Sequence, residues 1–380
     1  MSSRDFERSM PEAGHHLRRK KGWWSYTHLD AWMLFLLFLL CSFGLFVLYS
    51  ASGQDVDYVI RQAVRIGAGF IVLVVLAQFS PRILIRWAPW VYAAGVILLL
   101  AVMFFGVGAK GAQRWIALPG FRFQPSEIMK LILPLMVACY IAGRSLPPSL
   151  KHCVVSLVLI GLPTVLIMKQ PDLGTSLLIA ASGVFVMLFS GIRWRYILGA
   201  LGVAAAALPG LWMVMKDYQR QRVLTFLDPE SDPLGSGWNI IQSKTAIGSG
   251  GTWGKGWLGG TQSQLDFLPE SHTDFIIAVI AEELGLFGVL LLLFLYILII
   301  ARGLWMATRV PDSFGRLVAG SIVLTFFVYV FVNIGMVSGL LPVVGVPLPM
   351  ISYGGTSIVT LMAGFGILMS VHSHKQMVMR

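Results

Sequence analysis

Apolar residues gather into runs of about 20 that recur along the whole chain, parted by short polar stretches. A helix of that length spans a hydrocarbon core of about 30 Å. Ten runs qualify, at about residues 31–51, 59–79, 84–106, 126–143, 153–169, 173–192, 196–215, 274–301, 317–338 and 355–371. The short alternating segments of a transmembrane barrel are absent. The pattern predicts an all-α polytopic membrane protein with about ten transmembrane helices. The first run is too long for a cleaved signal peptide and follows a basic tail, so it is expected to remain a span.

Composition agrees with this reading. Of 380 residues, 56% are hydrophobic and 12% charged, about half the charged fraction of a soluble domain. The net charge of +11 does not suggest nucleic acid; in a membrane protein it first reports loop asymmetry and anionic lipid. Arg18, Arg19, Lys20 and Lys21 precede the first run, and every second loop after it is basic: Arg82 and Arg86, Arg144 and Lys151, Arg193 and Arg195, Arg302, Arg309 and Arg316, then Lys375 and Arg380. Both termini are therefore expected in the cytoplasm. The chain divides into a basic tail (1–30), a transmembrane domain (31–371) whose one long outer loop is 216–273, and a short tail (372–380). Cys41, Cys139 and Cys153 lie in or beside apolar runs and have neither disulfide nor metal-site spacing. No internal repeat stands out. LGTS (173–176) and GGTS (354–357) both open apolar runs, which capping by Thr or Ser would explain.

The outer face departs from the charge rule. Lys110, Arg114 and Arg122 precede Glu127 in GVGAKGAQRWIALPGFRFQPSE, and the long loop carries Lys216, Arg220, Arg222, Lys244 and Lys255 among its acids. An anionic ligand would account for this, and so would phospholipid head groups. Within the loop, DYQRQRVLTFLDPESDP reads as a short interfacial helix. TAIGSGGTWGKGWLGG has seven glycines in 16 residues and is expected to be irregular, a hinge or lid. Its GKGWLG matches G-x-G-x-x-G formally, but no βαβ unit surrounds it, so a dinucleotide site is rejected.

Asp274 opens the eighth run. It is either a helix cap, with Thr273 as the alternative, or a general base whose pKa burial has raised. His272 would tune it or lie exposed. Glu282 and Glu283, about two turns deeper, must face the bundle interior, where an ion pair or hydrogen bond is the expected role. Glu127 and Lys130 share a helix face, either as a self-neutralised pair or as the lining of a polar cavity beside Arg122. Asp172 in QPDLGTS is expected to cap a helix. SGLLPVVGVPLPMISYGGTS (338–357) is apolar but too rich in Pro and Gly for one helix, so it reads as re-entrant. Asp274 and the basic residues all gather at the outer leaflet. A transporter more often keeps its polar residues at the midplane.

KGAQRWI, RFQPSEIMK, QPDLGTS, DYQRQRV, LDPESDPLGSGWNIIQSKTAIGSGG, FLPESHTDFIIAVIAEELG and NIGMVSGLLPVVGVPLPMISYGG resemble the signatures of the SEDS family (shape, elongation, division and sporulation), in its rod-shape-determining branch. The resemblance covers about residues 28–375. It implies a ten-span peptidoglycan glycosyltransferase of the bacterial inner membrane with its active site on the periplasmic side. The implied substrate is lipid II, with undecaprenyl pyrophosphate as leaving group. The implied partners are a class B penicillin-binding protein transpeptidase and other proteins of the elongation machinery. Asp274 matches the family's essential aspartate, and Glu127 and Lys130 its span-four pair. Lys110, Arg114 and Arg122 would then offset pyrophosphate charge. A divalent cation, magnesium or manganese, could assist, although no ligand cluster is evident. A lipid II flippase and a non-catalytic scaffold for the transpeptidase are the rival readings.

Overall fold

The computed structural model describes residues 27–109, 112–118, 121–215, 217–228, 236–265, 267 and 270–374. The helices are α1 (Ala31–Ala51), α2 (Val56–Gln78), α3 (Pro81–Phe105), α4 (Pro125–Ala142), α5 (Leu150–Lys169), α6 (Leu173–Phe189) and α7 (Trp194–Val214). They continue with α8 (Asp217–Leu227), α9 (Ser236–Gly250), the short α10 (Thr261–Gln264), α11 (Ile276–Thr308), α12 (Ser313–Val337) and α13 (Thr356–Ser373). Eight are long and apolar enough to cross a membrane, and the shorter apolar helices Leu173–Phe189 and Trp194–Ala207 take the two remaining expected spans.

Local sequence sets the helix starts. Pro81 and Pro125 open α3 and α4, where the missing N–H costs nothing. Asp30 caps α1 by accepting from the Met33 amide and pairs with Arg302 of α11 at 2.6 Å. Asp172 caps α6 through the Thr175 amide, while the cap position of α13 is Gly355, which offers no side chain. Thr and Ser capping therefore fails as the reason why LGTS and GGTS look alike. α12 and α13 are the most enclosed spans, each 67% buried. α13 lies close on α2: a Cβ on Gly366 would stand 2.5 Å from the Leu73 carbonyl, an approach that small residues allow in membranes.

Two segments that the sequence reading assigns to the outer side differ from expectation. Strands β1 (Val107–Ala109), β2 (Ala112–Leu118) and β3 (Phe121–Phe123) form a small antiparallel sheet, with Ala117 opposite Arg122. The glycine-rich loop is helical as far as Gly250, and the rest is held against α11 as a clasp. α11 breaks at Gly285 (φ 65°, ψ −161°), a conformation only glycine adopts readily. The break frees two carbonyls and two amides. The Lys255 and Gly256 amides donate to the Glu282 and Glu283 carbonyls at 2.9 and 3.0 Å, and the Leu286 and Phe287 amides donate to the Gly251 and Thr252 carbonyls at 3.0 and 3.4 Å. The loop thus completes the broken helix, as buried backbone requires. Fully buried Glu282 locks the arrangement. Its carboxylate pairs with Lys255 at 2.6 Å and accepts from the Thr261 amide and hydroxyl and the Gln262 amide. Glu283 accepts from the Ser50 hydroxyl at 2.5 Å. The ion-pair and hydrogen-bond roles expected of this acidic couple hold.

Candidate active site

Asp274 lies in the turn before α11. The helix cap is Phe275, without a side-chain bond; Thr273 donates its hydroxyl to Glu270 instead. Capping does not occupy the Asp274 carboxylate, and among the described residues no hydrogen bond to it is found. The backbone here is tightly held. Buried Asn333 of α12 donates its amide to the Asp274 carbonyl at 2.9 Å and to the Val346 carbonyl at 2.7 Å. Ser352 donates to the Thr273 carbonyl at 2.5 Å, and the Tyr353 amide donates to the His272 carbonyl at 2.8 Å. Of the two alternatives for His272, exposure does not hold: the ring is half-buried between the Tyr58 and Tyr353 rings, at 5.4 and 6.0 Å. The acid is thereby fixed against the irregular segment 338–355, the re-entrant stretch the sequence predicts.

Its carboxylate faces Gly345, where a Cβ would lie 3.5 Å from Oδ2; the positive φ of 72° at Gly345 favours glycine. Gly345 in turn lines a cavity of about 190 Å³ walled by Arg114, Gln124, Glu127, Lys130, Asp172, Tyr329 and Gly354 through Ser357. Glu127 and Lys130, 7% and 8% exposed, pair at 2.6 Å, and Lys130 Nζ stands 5.0 Å from the Tyr329 ring centroid. One Glu127 oxygen, Oε2, has no partner among the described residues, so an acceptor remains beside the cavity. Arg114 is 3.8 Å from Asp172 and donates to the Gln170 and Pro171 carbonyls. Asp172 also accepts from Gln124 at 3.3 Å, so it does more than cap α6.

Burial pushes the Asp274 carboxyl up from 3.8 to about 6, and the negative charge of Glu270 adds to the rise. A half-buried, uncapped carboxylate whose pKa is raised to about 6 can accept a proton at neutral pH. The cavity beside it carries fixed cations able to meet an anion. Arg114, Glu127 and Lys130 are brought together, with Asp274 across Gly345 from them. Arg122 is placed only by its backbone in β3, and Lys110 lies outside the described residues. Lys255 is spent on Glu282 and is not available to a ligand. Among the described residues no group of three or more His, Cys, Asp or Glu side chains converges as metal ligands would.

The sequence profile described as "Cell cycle protein", which joins FtsW, RodA and SpoVE, matches residues 31–377. The chain belongs to the FtsW/RodA/SpoVE family. It is 58% identical over 359 residues to the peptidoglycan glycosyltransferase MrdB of Escherichia coli K12, covering 94% of this chain and 97% of that protein. It is 37% identical to a probable peptidoglycan glycosyltransferase FtsW of Trichlorobacter lovleyi, covering 90% and 92%. A chain of a peptidoglycan synthase complex that coordinates polymerization and crosslinking superposes with a TM-score of 0.81 at 33% identity, covering 91% and 98%. The rod shape determining protein RodA of Thermus thermophilus superposes with a TM-score of 0.69 at 31% identity, covering 90% and 96%.

In this FtsW/RodA/SpoVE fold, Asn333, Gly345, Tyr329 and Gln124 build the site although sequence reasoning did not single them out. A polar Asn inside an apolar run was the available signal for Asn333. For the sheet it was Lys110-Gly111 and Pro119-Gly120, which part the strands in sequence.

Proposed function

We propose that this protein is a peptidoglycan glycosyltransferase of the bacterial inner membrane, polymerising lipid II into β-1,4 glycan strands during cell elongation, with its site on the periplasmic side. The observation that carries the reading is the uncapped, half-buried Asp274 carboxylate set across Gly345 from the Lys130 and Arg114 cavity. The 58% identity to a protein named for this activity supports it.

Asp274 takes the proton from the 4-hydroxyl of the acceptor GlcNAc. The freed oxygen attacks C1 of the donor MurNAc, the C1–O4 bond forms, and the bond from C1 to the phosphate oxygen breaks. Undecaprenyl pyrophosphate leaves with the electron pair. An α-phosphate becomes a β-glycoside, so one base suffices and no covalent intermediate is needed. Lys130, oriented by Glu127, and Arg114 offset the charge growing on the leaving group; Lys110 and Arg122 are assigned the same task on sequence grounds. Among the described residues no three or more His, Cys, Asp or Glu side chains converge; a divalent cation, if bound, would add charge neutralisation at the diphosphate beside Lys130 and Arg114.

A class B penicillin-binding protein is the proposed partner, within the elongation machinery. Leu286, Phe287, Leu290, Leu291, Phe294 and Ile297 form an outward apolar stripe on α11, each 49–61% exposed, of the kind a partner's single transmembrane helix would cover. A flippase fits less well. Among the described residues, the cavity that adjoins the Glu127–Lys130 pair on its α13 side is about 30 Å³ and is walled chiefly by apolar side chains of α4, α12 and α13.

The deciding experiment supplies purified protein, with and without the transpeptidase, with labelled lipid II in detergent. Glycan strands without any sealed vesicle are expected; their absence in both arms, with translocation in liposomes, would sink the reading.

The rate should also follow the Asp274 proton. A base must be ionised, so polymerisation is expected to climb as pH rises through about 6 and level off above it. The stability effect has the opposite sign. Because the folded pKa lies above 3.8, the ionised form is disfavoured by folding. The contribution of this group is therefore complete below pH 3.8 and lost as pH rises to about 6. Melting curves of wild type and Asp274→Asn at pH 4 and 7 check this: the asparagine variant should gain on wild type at the higher pH.

A further inference from the structure

Arg65 of α2 is a cation without an evident counter-charge. It lies nine residues into the helix, about 14 Å along its axis, and is half-buried. No acid pairs with it among the described residues, and its Nη1 is buried with no hydrogen-bond partner there. Its neighbour Arg61 differs, being exposed and 3.7 Å from Asp57. An unpaired, partly desolvated charge inside a membrane protein is costly and marks a ligand or ion path.

What surrounds Arg65 is shaped for a particular anion. Its guanidinium lies 4.6 Å from the Tyr353 ring centroid, and the Tyr58 ring stands edge-on to Tyr353 at 5.0 Å. A Cβ on Gly355 would sit 3.6 Å from Arg65 Nε. Gly355 is the N-cap of α13, an 18-residue helix whose first amides have no side-chain cap; a helix start of this kind favours negative charge. Gln62 holds the turn in place, donating to the Ser352 carbonyl at 3.0 Å. Arg65 thus borders the strip Tyr353–Gly355, whose Gly354 and Gly355 line the Lys130 cavity, while Arg65 itself is not among the residues lining that cavity. Asp274 is tied to this strip through the neighbouring Thr273 and His272 carbonyls.

We propose that Arg65, Tyr353 and the start of α13 form a second site for a polyprenyl-linked diphosphate, separate from the Lys130 cavity and on the α2 side of the re-entrant strip. The inference rests on the glycosyltransferase reading, because joining two lipid-linked sugars requires holding two diphosphates at once. The Lys130 cavity takes the donor, whose diphosphate departs. The Arg65 site takes the diphosphate that stays attached to the acceptor, and the Tyr58 and Tyr353 rings offer apolar faces to its sugar. Two separated cation sites keep the like-charged head groups apart while both substrates reach Asp274.

The test is a binding titration of the full chain in detergent micelles with undecaprenyl diphosphate, using inorganic pyrophosphate and phosphatidylglycerol as competitors. Wild type is expected to bind two molecules of the lipid diphosphate. Arg65→Gln should weaken one site about tenfold or more, the value of a lost charge-assisted bond, and leave the other unchanged. Lys130→Met should weaken the other site. Arg65→Lys, which keeps the charge, should fall between wild type and Arg65→Gln; together with unchanged melting this separates binding from misfolding. Two sites of unaltered affinity in Arg65→Gln would overturn the proposal, as would displacement by phosphatidylglycerol as effective as by pyrophosphate. The readout needs no turnover. A protein that fails to polymerise lipid II but loses one site in Arg65→Gln would refute the enzymatic reading and spare the site. Normal polymerisation with both sites intact in Arg65→Gln would do the reverse.

Discussion

Asp274→Asn is expected to lower lipid II polymerisation by about 100-fold or more while the protein stays folded. The amide is nearly isosteric, so Gly345 still has room for it. The backbone ties from Asn333 to the Asp274 carbonyl and from Ser352 to the Thr273 carbonyl do not involve the carboxylate. Only the capacity to take a proton is removed. A cap would behave differently: asparagine caps helices as well as aspartate does, so a capping role predicts no loss. Asp274→Glu separates position from chemistry. It keeps the acid but drives the carboxyl group toward Gly345, and an intermediate rate is expected. The measurement is the initial rate of strand formation with partner present, beside melting curves for each variant. A near wild-type rate in the asparagine variant would remove Asp274 from the mechanism.

Lys255→Met should destabilise the protein by about 3 kcal/mol or more, because it strands the fully buried Glu282 carboxylate. The effect reaches beyond the pair. The clasp holds the first part of α11, the stretch that follows Asp274, against α9 and the loop around Gly254. Gly254 itself has no room to compensate: a Cβ there would lie 2.1 Å from the Glu283 carbonyl. Thermal unfolding in detergent checks the size of the loss. Adding Glu282→Gln to Lys255→Met should recover part of it, since the unpaired charge disappears. A single Met variant that melts with wild type would show that the pair contributes nothing to the clasp.

Much of this architecture could be read before any coordinates. The ten apolar runs match ten helices to within a few residues at most ends, because a bilayer demands long unbroken apolar stretches and satisfied backbone. The irregular 338–357 stretch was legible because Pro and Gly cannot sustain a helix. The break at Gly285 was not legible. The whole of α11 is apolar enough to read as one span, and Gly285, one of three glycines inside it, signals nothing until another segment supplies the missing backbone partners. The small sheet escaped for a related reason: its strands are three to seven residues long and carry too few alternations to register.

The site divides along the same line. Hydrophobic pattern and charge placed Asp274, Glu127, Lys130 and Arg114 at one end of the bundle, since burying ionisable groups among apolar helices costs so much that their positions along the chain are conspicuous. Whether Asp274 caps a helix or stands free could not be read from order along the chain, because both roles suit an acid at a helix start. That question turned on Phe275 becoming the cap, Asn333 taking the Asp274 carbonyl, and Gly345 leaving space in front of the carboxylate. These are contacts between residues up to 71 positions apart (274 to 345), and pattern along one dimension carries no information about which distant backbone will arrive there.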